Sequence, residues 1–351
     1  MTGKQTYVLA FLFIFFSCGE SKDIVQQSSA KTEIKDDAID EPENYISIIN
    51  AQPIDQVVRK IFQDSQLNLW FGTESGLFVF NGEKLDFISE LTDEKGRGVT
   101  VKDIVEDKLG KIWIGHTGGL SCLENGHVIN YYESSGLISN DVWTIEADSS
   151  GRIWAGTIEG VCYFDGKNFA SFGLPEGEID TTLGISSTKM VHQIFEDSKG
   201  ILWFSSNAGL FSYRDSALSN VSKIRGVETN FINQIIEGNN DEYWLSTKED
   251  LYLLNKDTLQ NITKNKIKTG KGIGSVAIDQ QGKVWFVVDQ HELYFFEDNE
   301  INQFHKTAEN KGPVVFQIFN DQQGRLWFVG FGGAFRLESG NFISITDQGP
   351  W

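Results

Sequence analysis

Seven tryptophans stand at nearly even intervals along the chain: Trp70, Trp113, Trp154, Trp203, Trp244, Trp285 and Trp327, spaced 43, 41, 49, 41, 41 and 42 residues apart. A period of this length marks a stacked or radial repeat, in which each unit buries its apolar face only against the next. Alignment on the tryptophan exposes the unit. Nine residues upstream stands an aliphatic residue in every repeat (Ile61, Ile104, Ile145, Ile194, Ile235, Val276, Ile318), with a second one three residues earlier. Six upstream stands aspartate in every repeat but the fifth, which has Gly238, and three upstream stands glycine, replaced by Leu67 in the first repeat and Asp241 in the fifth.

Each position has a physical reading. The β-branched pair is a short buried strand. Asp-x-x-Gly, as in Asp148-Ser149-Ser150-Gly151, is turn chemistry: the aspartate caps the turn through neighbouring backbone, and the glycine supplies positive φ. The tryptophan strand follows, a glycine turn (Gly76, Gly119, Gly160, Gly209, Gly333) opens a third strand, and Asn81-Gly82 or Ser339-Gly340 turns into a fourth, such as 85–89 and 342–346. Four antiparallel strands without helical period favour radial closure over a solenoid. The expected fold is all-β: a single seven-bladed β-propeller over 46–351. Residues 45–49 (YISII) read as one more strand, expected to meet 342–346 where the ring closes.

The first residues stand apart from the repeat. Lys4 precedes ten apolar residues, Tyr7 to Phe16, too few for a membrane span of roughly 20, and Ser17-Cys18 follows. Residues 1–17 read as a secretory signal, and a small residue followed by cysteine resembles the lipobox of bacterial lipoproteins, with Cys18 as the lipidated residue. Phe15 and Phe16 depart from the usual upstream residues of that motif; the competing reading is an ordinary cleaved signal. Residues 18–45 are polar, acidic and poor in aromatics, a flexible tether. The expected location is the cell envelope, at the outer membrane, on its periplasmic face or the cell surface.

With 49 acids against 30 bases the net charge is −19, which repels phosphate backbones and excludes nucleic acid as a natural partner. Cys122 and Cys162 lie nine and eight residues after their tryptophans, so they point to opposite strand faces and read as small buried hydrophobes. The five histidines have no metal-ligand spacing, and one aspartate per turn is too few for calcium. No catalytic residues, metal or cofactor are implied.

The segments Ile104 to Leu120 (IVEDKLGKIWIGHTGGL) and Ile145 to Val161 (IEADSSGRIWAGTIEGV) resemble the two-component regulator propeller repeat, and the connector from Ser135 to Val142 resembles the link between such repeats. The resemblance runs over about 46–346 and is worn in repeats five and six, where Ser246 and Val287 replace glycine. It implies an extracytoplasmic sensor propeller that binds an oligosaccharide or other small ligand; here the chain reads as a stand-alone lipoprotein without a kinase domain. A scaffold subunit of an outer-membrane assembly is the alternative. A propeller lyase is a further one, since streptogramin lyases share the seven-bladed architecture.

A site is expected where the repeats differ. Eleven residues before each tryptophan, between the two aliphatic positions, stand Arg59, Lys102, Trp143, His192, Asn233, Gly274 and Phe316. Facing the funnel, Arg59 and Lys102 suit a carboxylate or sulfate, Trp143 and Phe316 a sugar ring, and His192 and Asn233 hydrogen bonding. The competing reading is a solvated tunnel lining. Residues 173–189, the insertion behind the 49-residue interval, form a second candidate. The partner is a small molecule, an oligosaccharide, or a membrane or periplasmic protein.

Overall fold

In the computed structural model, which describes residues 52–183, 185–256, 258–270, 272–306 and 312–351, twenty-eight strands form seven four-stranded sheets. Each sheet is an antiparallel meander, as in Val58–Gln63, Leu69–Thr73, Leu77–Phe80 and Leu85–Ile88. The seven-bladed propeller read from the period is the fold observed. Cys18 and residues 45–49 lie outside the described residues.

The second strand of each blade is buried along its length, as in Leu69–Thr73 and Ile153–Thr157, save for the exposed last residue of the seventh, Phe331, because both of its faces meet a neighbouring blade. Trp70 packs with Val101 and Ile104 of the second blade, Trp113 with Val142 and Ile145 of the third, and Trp327 with Val58, Ile61 and Phe71 of the first. The tryptophans are inter-blade core. Cys122 and Cys162 are free thiols in one apolar cluster, and burial pushes both thiol pKa values up to about 11.

The aspartate of the turn does more than cap. In the third blade Asp148 Oδ1 accepts the Arg152 N–H (2.8 Å) while Oδ2 accepts the indole N–H of Trp154 (2.8 Å). The same indole bond recurs at Asp64, Asp107, Asp197, Asp279 and Asp321, at 2.8 to 2.9 Å. The turn glycines hold φ near +73 to +90°, and the two exceptions, Leu67 (+69°) and Asp241 (+63°), are held in the same left-handed region.

A ring of side chains ties the blades around the axis. The residue ten before each tryptophan is polar in all seven repeats (Lys60, Asp103, Thr144, Gln193, Gln234, Ser275, Gln317). Its side chain reaches the next blade and accepts an edge N–H of the innermost strand: Gln317 takes Ile61 (2.7 Å), Asp103 takes Ile145 (3.0 Å), Thr144 takes Ile194 (3.2 Å), Gln193 takes Ile235 (2.7 Å), Gln234 takes Val276 (2.9 Å) and Ser275 takes Ile318 (3.1 Å). Lys60 cannot accept, so Asp103 folds its other oxygen back onto the Ile104 N–H (2.9 Å) and binds Lys60 Nζ (2.7 Å) with it. These ties satisfy donors that an inner edge strand would otherwise leave open.

Closure uses both ends of the described chain. Pro53 bridges Thr346, the Asp347 N–H donates to Gln52 O (2.9 Å), and the Trp351 ring stacks on Phe80 at 4.1 Å between centroids. The last blade takes all four of its strands from 314–345, with 52–57 laid beside it.

Candidate functional site

Each innermost strand carries a β-bulge at one point. The pairing register skips Arg59 between Val58 and Lys60, Lys102 between Val101 and Asp103, His192 between Val191 and Gln193, and the corresponding residue elsewhere, with Ser275 skipped beside Gly274 in the sixth blade. A bulged residue leaves the ladder and has its side chain re-aimed. Arg59, Lys102, Trp143, His192, Asn233 and Phe316 accordingly line one polar tunnel cavity of about 180 Å³, together with Gly274. The position chosen for its variability is thus a structural device for presenting side chains to the axis.

Several of these side chains are already committed. Arg59 pairs with Glu74 (2.7 Å) and its guanidinium lies 5.2 Å from the centre of the Phe316 ring. Lys102 Nζ pairs with Asp141 (2.5 Å) and sits 3.5 Å from the centre of the Trp143 ring, whose indole N–H donates to the same carboxylate (3.0 Å). Burial pulls the Lys102 amine below the ordinary lysine value, the Asp141 bond opposing it. Asn233 Nδ2 donates to Ile273 O (2.7 Å). One face of Trp143 is therefore occupied by an ammonium rather than open to a sugar ring. Glu74 and Asp141 were not foreseen, because Glu74 follows the neighbouring strand of its own blade and Asp141, two residues before Trp143, reaches across to Lys102 of the preceding blade.

Above the tunnel a larger cavity of about 590 Å³ opens at the mouth over blades three to six. Trp143, His192, Asn233 and Gly274 form its floor, Thr182 and Ile185 of the insertion one wall, and Gln290 and His291 another. Part of the insertion and four of the seven bulge residues thus line one cavity. The insertion is held by Asn207, whose Nδ2 donates to Glu178 O (2.6 Å) and Ser187 O (3.0 Å), and by the Gly177 N–H to Thr188 O (2.7 Å). Ile185, Met190 and Phe231 pack together against Trp143, so the mouth has an apolar wall fixed to the funnel floor. His291 carried no sequence signal; it reaches the mouth only because its loop follows the sixth tryptophan strand.

His192 stands between the two cavities. Its ring lies 4.7 Å from that of Phe231, its Nε2 is enclosed without a hydrogen-bond partner, and burial lowers its pKa to about 4. The imidazole is neutral at physiological pH.

A second anomaly lies one layer below. Eight before the tryptophan every repeat is apolar (Phe62, Val105, Phe195, Ile236, Ala277, Phe319) except the third, which has Glu146. Burial raises its pKa to about 8, with Asp103 and Glu196 adding to the rise and a hydrogen bond from the Glu196 backbone opposing it. A carboxyl whose folded pKa lies above its unfolded value gives stability that is complete below the unfolded pKa and lost as pH rises through the folded one. Wild-type protein is expected to melt several degrees lower at pH 8.5 than at pH 6. Glu146→Gln should flatten that slope while leaving the pH 5 melting temperature nearly unchanged, as differential scanning calorimetry can check.

Among the described residues no group of three or more His, Cys, Asp or Glu side chains is placed to hold a metal ion, and no helix is long and apolar enough to cross a membrane.

The fold is a seven-bladed propeller whose blades share one turn chemistry. Residues 136–159, from the connector glycine into the turn after the third blade's tryptophan strand, match the family described as two component regulator propeller. The chain is similar to histidine kinase P4 of Formosa agariphila, at 25% identity over 159 residues that make up 41% of this chain and 11% of that kinase. In structure it is similar to the extracellular domain of a one component system from B. thetaiotaomicron (TM-score 0.64, 17% identity, 79% of this chain and 38% of that one). It is also similar to virginiamycin B lyase from Staphylococcus aureus (TM-score 0.61, 14% identity, 81% and 95%). At such identities the two structures share the propeller fold.

Proposed function

We propose that this chain is a lipid-anchored, extracytoplasmic binding propeller that takes a small molecule or glycan at its mouth and passes occupancy to a sensing partner. The observation that carries this reading is convergence: four of the residues that differ from blade to blade, Trp143, His192, Asn233 and Gly274, and part of the one long insertion meet at a single cavity. The extracellular assignment of the similar one component system supports the location. Cys18 is the proposed lipid anchor, and globomycin should block N-terminal processing; processing that continues unchanged counts against it.

The lyase reading is weaker. A histidine with a pKa near 4 is a poor general base at neutral pH.

Thermal-shift screening of the soluble domain against oligosaccharides and charged and uncharged small molecules tests the binding reading. A ligand at a hundred times its Kd adds about 2.7 kcal/mol of stability by mass action. A stabilising compound should lose its effect in both Trp143→Ala and Ile185→Asp. Stabilisation unaltered by both removes the mouth as the site, and a screen without a single hit favours a scaffold role through blade edges.

A further inference from the structure

Of the seven bulge positions that face the axis, six carry a side chain and one, Gly274, carries none. Neither backbone nor crowding requires that glycine. Its φ lies outside the left-handed region, and a Cβ placed there would meet only Val287 Cγ1 at 3.6 Å, an ordinary contact. Gly272, two residues earlier, is the contrast: its φ is +104°, and a Cβ would fall 2.5 Å from the Lys248 backbone. What glycine provides at 274 is empty volume, at the point where the mouth cavity meets the tunnel.

The charges around that volume are spoken for. Among the described residues neither lysine nor arginine lines the mouth, and the one carboxylate among them there, Asp289, already has an interaction partner within the protein. The cations of the tunnel, Arg59 and Lys102, are paired with Glu74 and Asp141, and Lys248, behind Gly272, lies 3.9 Å from Asp180. A charged ligand would surrender its hydration without a free counter-charge. The apolar wall of Ile185, Met190 and Phe231 faces no such difficulty with a hydrocarbon surface, and Thr182 and Gln290 of the lining are uncharged hydrogen-bonding groups for a polar atom.

We propose that the mouth selects an uncharged molecule with one apolar face, and that Gly274 is the specificity-determining residue that gives the pocket its depth. The inference rests on the mouth being the binding site. The apolar face lies on the Ile185–Met190–Phe231 wall, and a polar end enters the notch over Gly274 beside His192.

Two dyes with one aromatic body separate the charge requirement from simple greasiness: neutral N-phenyl-1-naphthylamine and its sulfonated, anionic relative 1-anilinonaphthalene-8-sulfonate. Fluorescence titration of the soluble domain should show saturable 1:1 binding of the neutral dye, at least tenfold tighter than the anionic one. Gly274→Leu should weaken the neutral dye tenfold or more, Gly274→Ala less than threefold, with melting temperatures near wild type. Should Gly274→Leu not fold, Thr182→Trp fills the same cavity from the insertion side and should produce the same loss. Equal or tighter binding of the anionic dye overturns the inference, as does neutral-dye binding indifferent to both filling variants. An anionic compound whose stabilising effect disappears in Trp143→Ala and Ile185→Asp would sink this inference while leaving the mouth as the site. Neutral-dye binding indifferent to those two substitutions would sink the mouth itself.

Discussion

Asp103→Ala is expected to destabilise the propeller by about 3–5 kcal/mol, more than any other single change to the ring of side chains around the axis. Six seams are tied by a residue that serves one N–H of the next blade, but Asp103 serves three donors: Ile104 N–H, Ile145 N–H and Lys60 Nζ. Removing it leaves two enclosed backbone donors unsatisfied, each worth about 1–3 kcal/mol, and strips an ammonium of its partner. At about 2–4 °C per kcal/mol for a large domain, the melting temperature should fall by roughly 6–20 °C. Gln234→Ala removes a single tie, to Val276, and should cost about 1–2 kcal/mol. Asp103→Asn should fall between them, since one amide oxygen can still accept while the NH2 group faces the second donor. Chemical denaturation of the three variants decides the matter: equal losses for Asp103→Ala and Gln234→Ala would mean that the seams are held by the apolar core alone.

The contrast between that residue and its neighbours shows what could be read in advance. Blade number, strand order, the inter-blade role of the tryptophans and the positive φ at the turns follow from spacing, because each is repeated seven times and repetition is visible in a string. The invariant polarity of the position ten before the tryptophan was equally visible, yet its role was not. Gln193, Thr144 and Asp103 look like unrelated surface residues until a bulge turns their neighbours to the axis and brings each within reach of the next blade's N–H. The site divides in the same way. That Arg59, Lys102, Trp143, His192, Asn233 and Phe316 share a cavity was legible from register. That Glu74 and Asp141 neutralise the two cations, that Lys102 covers a face of Trp143, and that the insertion and funnel form one mouth were not, since these contacts join a bulge to residues outside its own strand, in the same blade for Arg59 and in the next blade for Lys102. Gly274 passed as one more variable residue because an absent side chain has no signature until the surrounding space is known.

The largest effect outside that ring is expected at the turn aspartate of the third blade. Burial favours the protonated form of Asp148, yet hydrogen bonds from Ser150, Trp154 and Arg152 outweigh it and hold the carboxyl below its usual pKa. Four donors converge on it: Ser150 Oγ (2.6 Å), the Arg152 N–H (2.8 Å), Arg152 Nε (2.6 Å) and Trp154 Nε1 (2.8 Å). Trp154 is wholly buried, so water cannot replace the lost acceptor, and Asp148→Ala should cost about 3–5 kcal/mol. Asp279→Ala removes the same bond, at 2.9 Å, from Trp285, whose ring is 6% exposed and lacks an arginine paired to its turn; it should cost about 1–2 kcal/mol less. A depressed carboxyl pKa contributes stability that is present above the unfolded value, near 3.9, and lost as pH falls through the folded one. Asp148→Asn, which keeps an acceptor for the indole but not the charge, should therefore lose less than alanine at pH 7 and show a shallower acid limb than wild type. If Asp148→Ala and Asp279→Ala destabilise equally, the shared turn geometry, and not the burial of the indole N–H, sets the value of this aspartate.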